Sequence, residues 1–163
     1  MKKIVFIIAI LGFSVASAQV YKGKGDQKFH VGANLQDRAT SINLAYYYGF
    51  GENFSAGLYS SYALGLPSGF DPKFGDRIDA KVMLNANIGS ILNIDDNFDL
   101  YPGLNLGLKN FGGHLGARYF FSDGLGVYAE FLFPISKYKT GSLSDADKLH
   151  NQASGNIGVA FNF

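Results

Sequence analysis

The chain has 163 residues, enough for one domain, with 17% charged and 15% aromatic residues, 21 glycines and no tryptophan. It contains no cysteine, which excludes disulfides and thiolate metal sites. A net charge of +1 without a basic stretch argues against nucleic-acid binding. Low charge combined with many Phe, Tyr and Gly residues favours packed sheet surfaces over helices.

The first 18 residues have the pattern of a cleavable export signal. The basic pair Lys2–Lys3 precedes the apolar run Ile4–Val15, and Ala16 and Ala18 fit the small-residue rule for cleavage. The run is shorter than the ~20 residues of a spanning helix, so cleavage is preferred to a transmembrane anchor. The mature chain is expected to begin at Gln19 and to reach the periplasm or the outer membrane.

Residues 19–27, with the motif GKGD, are expected to form a flexible periplasmic lead-in. The motif lacks the flanking strand and helix of a phosphate-binding loop. From residue 28 to residue 163, apolar and polar residues alternate with a period of two. This period is typical of strands that have one apolar and one polar face.

The stretch Arg77–Ile88 shows the alternation most clearly. Ile78 and Val82 fall on one face of an extended strand, and Asp79 and Lys81 fall on the other. Eight such strands are predicted. Their apolar faces lie within Phe29–Leu35, Ile42–Tyr48, Phe54–Leu58, Ile78–Ile88, Leu100–Leu108, Leu115–Phe121, Leu125–Phe133 and Ile157–Phe163.

The connections between the predicted strands alternate in kind. Compact ones, rich in turn-forming residues, are 48–53, 90–97 and 122–124. Two long ones are 63–75 and 135–151. Short turns on one side and long loops on the other are typical of bacterial outer-membrane barrels. The sequence therefore predicts an all-β fold, an eight-stranded antiparallel up-and-down transmembrane β-barrel over residues 28–163.

The charged residues of the strands share the face opposite to the apolar one. If the apolar face meets lipid, the charges point into the barrel and have to be paired. The predicted lumen charge network comprises Lys28, Asp79, Lys81, Asp99, Lys109, Arg118 and Glu130. A three-residue turn would place Arg118 and Glu130 opposite or diagonal to each other, so we expect these two to form an ion pair.

A soluble barrel such as a lipocalin would turn its apolar face inward. Alternation by itself does not identify the outer face. However, the apolar set carries no charge in any of the eight strands, and the other set holds ions, amides and glycines. These contents favour a membrane barrel with a narrow polar lumen.

The last strand, SGNIGVAFNF, resembles the C-terminal assembly signal of Gram-negative outer-membrane proteins. Its apolar residues Ile157, Val159, Phe161 and Phe163 occupy every second position. With the stretch GARYFFSDGLGVYAEF, the chain resembles the small eight-stranded OmpX, OmpW and OmpA-transmembrane-like barrels. Residues 101–121 resemble an uncharacterised flavobacterial barrel family. These resemblances imply assembly by the outer-membrane insertion machinery and no established activity.

A barrel of this kind is expected to contact outer-membrane lipid and lipopolysaccharide, to be a monomer and to keep both termini in the periplasm. The leading hypothesis is a non-enzymatic structural or surface-interaction role. The alternative is a narrow channel for small or apolar solutes, because the inner glycines Gly103, Gly107 and Gly116 would leave space. Eight strands leave an interior only wide enough for side chains, which disfavours a wide pore.

An enzyme acting on outer-leaflet lipid is the least favoured hypothesis. The histidines His30, His114 and His150 lack the His-x-Ser motif of lipid A deacylases. The tract Ser142–Asp147 offers the Asp and Ser of a palmitoyltransferase near His150, although ordinary loop polarity explains it equally well. The motif NIDDNFD lacks the glycine and glutamate of an EF-hand. No catalytic residue, metal site or cofactor is predicted.

Overall fold

Eight antiparallel strands close into one barrel, which confirms the predicted fold class. The computed structural model describes residues 20–66, 68 and 72–163, so the predicted export signal with Ala16 and Ala18 lies outside the described residues. The strands are β1 (Gln27–Gln36), β2 (Ala39–Gly49), β3 (Phe54–Gly65), β4 (Ile78–Ala86), β5 (Phe98–Gly107), β6 (Asn110–Phe120), β7 (Leu125–Lys137) and β8 (Ser154–Asn162). Each pairs with the next strand along the chain, and β8 pairs with β1.

The alternating sequence places apolar side chains on the outer wall and polar side chains inside. Leu58 of β3, on the wall, is 65% exposed, whereas Lys28 of β1, inside, is 1% exposed. A soluble barrel would show the reverse arrangement. The interior is therefore polar and the wall apolar, as the sequence predicts for a membrane barrel.

The connections differ at the two ends of the barrel. The end that carries Val20 and Phe163, here the termini end, has the connections 50–53, 87–97 and 121–124, and the second contains the short helix α1 (Gly89–Leu92). The opposite end, here the loop end, has two-residue turns after β1 and β5 and long connections after β3 and β7. The first long connection ends in the 3-10 turn Phe74–Arg77, and the second contains helix α2 (Asp145–His150).

Within the connection between β6 and β7, Phe121 and Leu125 close a turn of three residues, Ser122–Gly124, which is the predicted length. Phe120 faces Gly126, and the N–H of Phe121 donates to the carbonyl oxygen of Leu125 at 3.2 Å. With this register, inward positions on β6 face inward positions on β7.

Residues 20–26, predicted to be a flexible lead-in, instead fold into the mouth of the barrel at the termini end. We call them the plug segment. Gly23 and Gly25 have φ angles of +86° and +89°, which allow the chain to turn there. Val20 packs on Phe120, Tyr128 and Ala160. These apolar contacts, which no local sequence pattern indicated, place the segment against the inner side of the barrel.

Candidate functional site in the barrel interior

The layer nearest the termini end joins the plug segment to the first and last strands. Nζ of Lys28 donates to both carboxylate oxygens of Asp26, at 2.8 and 2.7 Å, and to Oδ1 of Asn162 at 2.9 Å. Tyr21 donates its hydroxyl to the carbonyl oxygens of Gly51, at 3.0 Å, and Phe54. Burial, reinforced by the Asp26 carboxylate, raises the pKa of Tyr21 to about 12, so this hydroxyl stays a donor at neutral pH.

The second layer is built around Arg118. Nη2 of Arg118 donates to Oδ2 of Asp99 at 2.6 Å and to Oδ1 of Asn87 at 2.8 Å. Its guanidinium carbon lies 4.7 Å from the ring centre of Tyr101. The ion pair, the hydrogen bonds of Nη2 and the cation–π contact therefore compensate part of the cost of burying the guanidinium, whose Nε and Nη1 have no hydrogen-bond partner within the described residues.

The predicted ion pair between Arg118 and Glu130 is wrong. Both side chains lie inside, but Arg118 faces Tyr128 on β7, and Glu130 faces Gly116. On β5, Asp99 lies directly opposite Arg118, one step closer than the diagonal Glu130. Arg118 therefore turns to β5, and among the described residues no ion pair joins it to Glu130.

Glu130 has amide and hydroxyl partners instead of a cation. The hydroxyl of Tyr47 donates to Oε2 of Glu130 at 3.1 Å, and Nδ2 of Asn156 donates to Oε1 at 3.0 Å. Nδ2 of Asn34 in turn donates to Oδ1 of Asn156 at 2.7 Å. Neutral donors from β2 and β8 thus satisfy the carboxyl group in the middle of the barrel, and Asn34 of β1 holds Asn156 in place.

Aromatic rings fill the waist of the barrel. The ring of His30 stacks on Tyr128 at 4.2 Å and lies 5.0 Å from Tyr47 and 6.4 Å from Tyr101, measured between ring centres. We call these four residues the ring layer. Neither ring nitrogen of His30 has a hydrogen-bond partner within the described part of the chain, so packing alone positions it.

The inner glycines do not leave the open space that the channel hypothesis assumed. A Cβ placed on Gly116 would lie 2.1 Å from Cζ of Tyr101. On Gly103 it would lie 2.4 Å from Nε2 of His114, and on Gly107 it would lie 2.9 Å from Nζ of Lys81. Larger side chains from the facing strands therefore occupy the volume above each glycine.

The layer nearest the loop end contains Lys81. Its Nζ lies 3.0 Å from Oδ2 of Asp79 and donates to Oδ1 of Asn110 at 3.2 Å. Nδ2 of Asn110 donates to the carbonyl oxygen of His150 at 2.9 Å. A cavity of only about 10 Å³ remains between this layer and the residues above it.

Helix α2 closes the barrel at the loop end. Leu149 is fully buried against Ala39 and Ala63. The carbonyl oxygen of Leu149 accepts a hydrogen bond from Nε2 of Gln36 at 3.1 Å, and Nε2 of His150 lies 2.7 Å from the carbonyl oxygen of Asp76. The second contact joins the two long loops. We call α2 the lid.

Asp147 fixes the lid to the barrel rim. Oγ of Ser144 donates to Oδ2 of Asp147 at 2.6 Å, and the N–H of Asp147 donates back to Oγ of Ser144. Nζ of Lys109 lies 3.4 Å from Oδ1 of Asp147, so Lys109 lies at the rim and not in the predicted lumen network. The Ser144 hydroxyl, then its N–H, lowers the pKa of Asp147 to about 2, with a smaller contribution from Lys109.

The predicted charges thus fall into separate groups instead of one network. Lys28, Arg118 and the Asp79–Lys81 pair have partners in different layers. The asparagines that bond to these charged side chains were not predicted; they are Asn87, Asn110, Asn156 and Asn162. Their positions on the polar face of each alternating strand were the available signal.

The histidines do not form a catalytic group among the described residues. His114 contacts Oδ1 of Asn85 at 2.8 Å, and His150 contacts a backbone carbonyl. Ser144 and Asp147, from the tract considered for a palmitoyltransferase, form the cap of the lid helix.

In the described ranges no cluster of three or more His, Asp or Glu side chains could hold a metal ion. In residues 20–66, 68 and 72–163, no helix is long and apolar enough to cross a membrane.

Comparisons with known proteins agree with the barrel. The model of a family described as "Family of unknown function (DUF6646)" matches residues 10–163. No curated protein sequence is significantly similar to the chain. Among solved structures, the N-terminal β-barrel domain of Pseudomonas aeruginosa OprF is similar with a TM-score of 0.57 at 12% identity, over 87% of this chain and 100% of that one.

Two further solved structures have the same fold. The outer-membrane protein OprG of Pseudomonas aeruginosa is similar with a TM-score of 0.56 at 13% identity, over 90% of this chain and 99% of that one. A de novo designed transmembrane β-barrel is similar with a TM-score of 0.54 at 10% identity, over 87% of this chain and 98% of that one. At these identities the likeness shows the fold alone, so function has to be argued from the interior and the wall.

Proposed function

The chain belongs to the DUF6646 family of unknown function, and from its geometry we propose that it is a small non-enzymatic outer-membrane barrel with a structural or surface-interaction role. The filled interior is the observation that carries this proposal. Paired charges and the ring layer occupy the lumen, the plug segment closes one mouth, and the lid closes the other. Such a barrel holds its two long loops in place and offers no continuous path for a solute.

The wall supports the placement in a membrane. Large apolar side chains cover it, among them Leu44, Leu58, Leu84, Leu106, Leu115, Phe131 and Ile157, and all are exposed. In water this surface would be a strong liability for aggregation. In a bilayer it is the surface that lipid chains cover, and strands of 9 to 13 residues are long enough to span it.

The likeness to OprF and OprG supports an outer-membrane location for this chain. We propose in addition that both termini lie in the periplasm and that the long loops lie at the cell surface. The absence of native cysteine makes this orientation testable by labelling. We expect a membrane-impermeant maleimide to label Gly141→Cys on intact cells. Asp123→Cys, in the turn at the termini end, should be labelled only after the outer membrane is permeabilised. The opposite pattern would contradict the proposed orientation.

Planar-bilayer recording tests whether the barrel is closed. We expect the refolded protein to give no steady conductance. A variant without residues 20–26 should also give none, because the ring layer still closes the waist. Folding of both is checked by the mobility shift of unboiled samples in gels. Steady ion steps from the wild-type protein would contradict the proposal and revive the narrow-channel hypothesis.

Two measurements test the remaining parts of the proposal. Mass spectrometry of lipid A from a strain lacking the protein should show no change, and a lost acyl chain or a new one would indicate an enzyme.

Cell fractionation should recover the mature protein with outer-membrane lipid and lipopolysaccharide. Recovery in the soluble periplasmic fraction would contradict the membrane placement itself.

A further inference from the structure

We propose that the helical turn between β4 and β5 is an interfacial membrane anchor, whose aliphatic side chains insert into the bilayer beside the barrel at the termini end. This inference rests on the membrane placement proposed above. The anchor consists of α1 (Gly89–Leu92) and Ile94.

Three large aliphatic side chains lie close together in this turn and are exposed. Ile91 is 63% exposed, Leu92 47% and Ile94 62%. Polar residues and glycine usually dominate a connection between two strands. A cluster of this size on a connection indicates contact with a partner or a membrane.

The turn has a polar face and an apolar face. Gly89, Ser90 and Asn93 line a cavity of about 420 Å³ in the mouth of the barrel, next to the plug segment. At 100° per residue, Ile91 and Leu92 fall on the opposite side of the helix. The aliphatic side chains therefore point away from the barrel axis.

The apolar face continues the wall of the barrel. Ile88 comes directly before α1 and follows Leu84 and Ala86 at outward positions of the chain. Its N–H donates to the carbonyl oxygen of Leu100, another outward position, at 2.8 Å. The outward positions of β4 thus lead through Ile88 to the aliphatic side chains of the turn.

The turn also occupies a position where the other connections carry aromatic residues. Membrane barrels concentrate aromatic side chains at the level of the lipid headgroups. At the termini end, the exposed aromatic residues among those described include Tyr46, Tyr48, Phe50, Phe54, Tyr119, Phe121 and Phe163. Phe50 and Phe121 lie in the β2–β3 and β6–β7 connections, and the others lie in the adjoining strands or at the end of the chain. Over β4 and β5, Phe98 is half-buried, and the aliphatic side chains of the turn take its place at the surface.

Local geometry holds the turn against the barrel. The N–H of Gly89 donates to Oδ1 of Asp99 at 3.1 Å. A Cβ at position 89 would lie 2.5 Å from the carbonyl oxygen of Phe98, so only glycine permits this approach. Asn93 ends the helix in the left-handed conformation, at φ 49°. The aliphatic side chains are therefore fixed in an outward position.

Depth-dependent fluorescence quenching tests the anchor, and the lack of native tryptophan makes each introduced tryptophan the sole reporter. Ile91→Trp and Ile94→Trp report on the anchor. Leu84→Trp reports on the wall, and Ser90→Trp, which faces the mouth cavity, is the matched control within the same turn. Each variant is refolded into neutral phosphatidylcholine vesicles with bromine on the acyl chains, and folding is confirmed by the gel shift.

We expect the two anchor tryptophans to be quenched at least twofold more strongly than the tryptophan at position 90. Bromine near the headgroup should quench them best, whereas bromine deep in the chains should quench the wall tryptophan best. If the wall tryptophan is quenched and the anchor tryptophans are quenched no more than the tryptophan at position 90, the proposed anchor is wrong. A soluble partner would then be the better explanation for the exposed aliphatic side chains. If the wall tryptophan is not quenched, the membrane placement itself fails.

Discussion

Arg118 and Asp99 lie directly opposite each other on neighbouring strands, and Nη2 of the arginine is 2.6 Å from Oδ2 of the aspartate. Both side chains are buried inside the barrel. Among the described residues, this pair has the shortest distance between charged atoms in the interior, so it offers the most direct test of the lumen structure.

Removing one member of this pair should destabilise the barrel more than removing both. Arg118→Met or Asp99→Asn leaves a buried partner uncompensated, which typically costs about 3–5 kcal/mol. The double variant should recover part of that loss. The measurement is a double-mutant cycle from urea unfolding in detergent.

The control for this cycle combines Arg118→Met with Glu130→Gln. Glu130 has Tyr47 and Asn156 as hydrogen-bond partners, so its coupling energy with Arg118 should be clearly smaller. A larger coupling with Glu130 than with Asp99 would contradict the arrangement described here.

Two glycines give a matched test of the filled lumen. Gly116→Ala places a methyl group against the ring of Tyr101 and should destabilise the barrel by about 1–3 kcal/mol. The control is Gly155→Ala in β8, where no atom lies within 4 Å of the new Cβ. This substitution should be neutral or should stabilise the barrel by up to about 1 kcal/mol. Thermal unfolding in detergent compares the two, and equal effects would show that Tyr101 does not fill the space over Gly116.

The lid should respond to acid through Asp147. Its pKa of about 2 lies below the value near 3.9 of an unfolded chain, so its stabilising effect is complete above about pH 4 and is lost as the pH falls toward 2. Pepsin cleavage between residues 138 and 153 should therefore accelerate through this range in the wild-type protein, relative to Asp147→Asn.

The nearby Asp145 provides the control for this pH dependence. The side chain of Asp145 is 41% exposed and its Oδ1 lies 3.6 Å from Nζ of Lys148, so Asp145→Asn should keep the wild-type profile. Asp147→Asn should be cleaved faster at pH 4.5 and should change less with pH. Identical profiles for Asp147→Asn and the wild-type protein would show that this carboxylate does not hold the lid.

The C-terminal residue should matter for assembly. The N–H of Phe163 donates to the carbonyl oxygen of Gln27 at 3.1 Å, and its ring is exposed at the end of β8. Deleting Phe163 should lower the yield of folded barrel in the outer membrane while processing of the export signal continues. Phe163→Tyr, which keeps an aromatic ring, serves as the control. An unchanged yield of folded barrel after the deletion would show that Phe163 is not part of the assembly signal.

The alternation of residues was sufficient to predict the eight strands and to divide the residues of each strand between two faces. The stretch Ile78–Ala86 shows why. A period of two is the period of an extended strand, and the face whose residues carry no charge was identified as the outer one. The odd turn at residues 122–124 followed from the requirement that Arg118 and Glu130 both point inward.

The partners of the charges could not be predicted in the same way. Every inward side chain of a barrel has neighbours on two strands, and alternation does not say which one it turns to. Arg118 turned to Asp99 on β5, although Glu130 on β7 was closer along the chain. The lid helix, with six residues, and the plug segment are too short to show a period, and contacts with the distant residues Ala63 and Phe120 hold them.

The contact of Lys28 with Asn162 links the closure of the barrel to the burial of a charge. Asn162 reaches the ammonium group only when the last strand has paired with the first, and until then water can hydrate the charge through the open edge. To part these two strands again, the chain has to rehydrate that charge. We therefore expect the barrel to open slowly, so that the rate of opening and not the equilibrium alone would determine how long the folded protein persists.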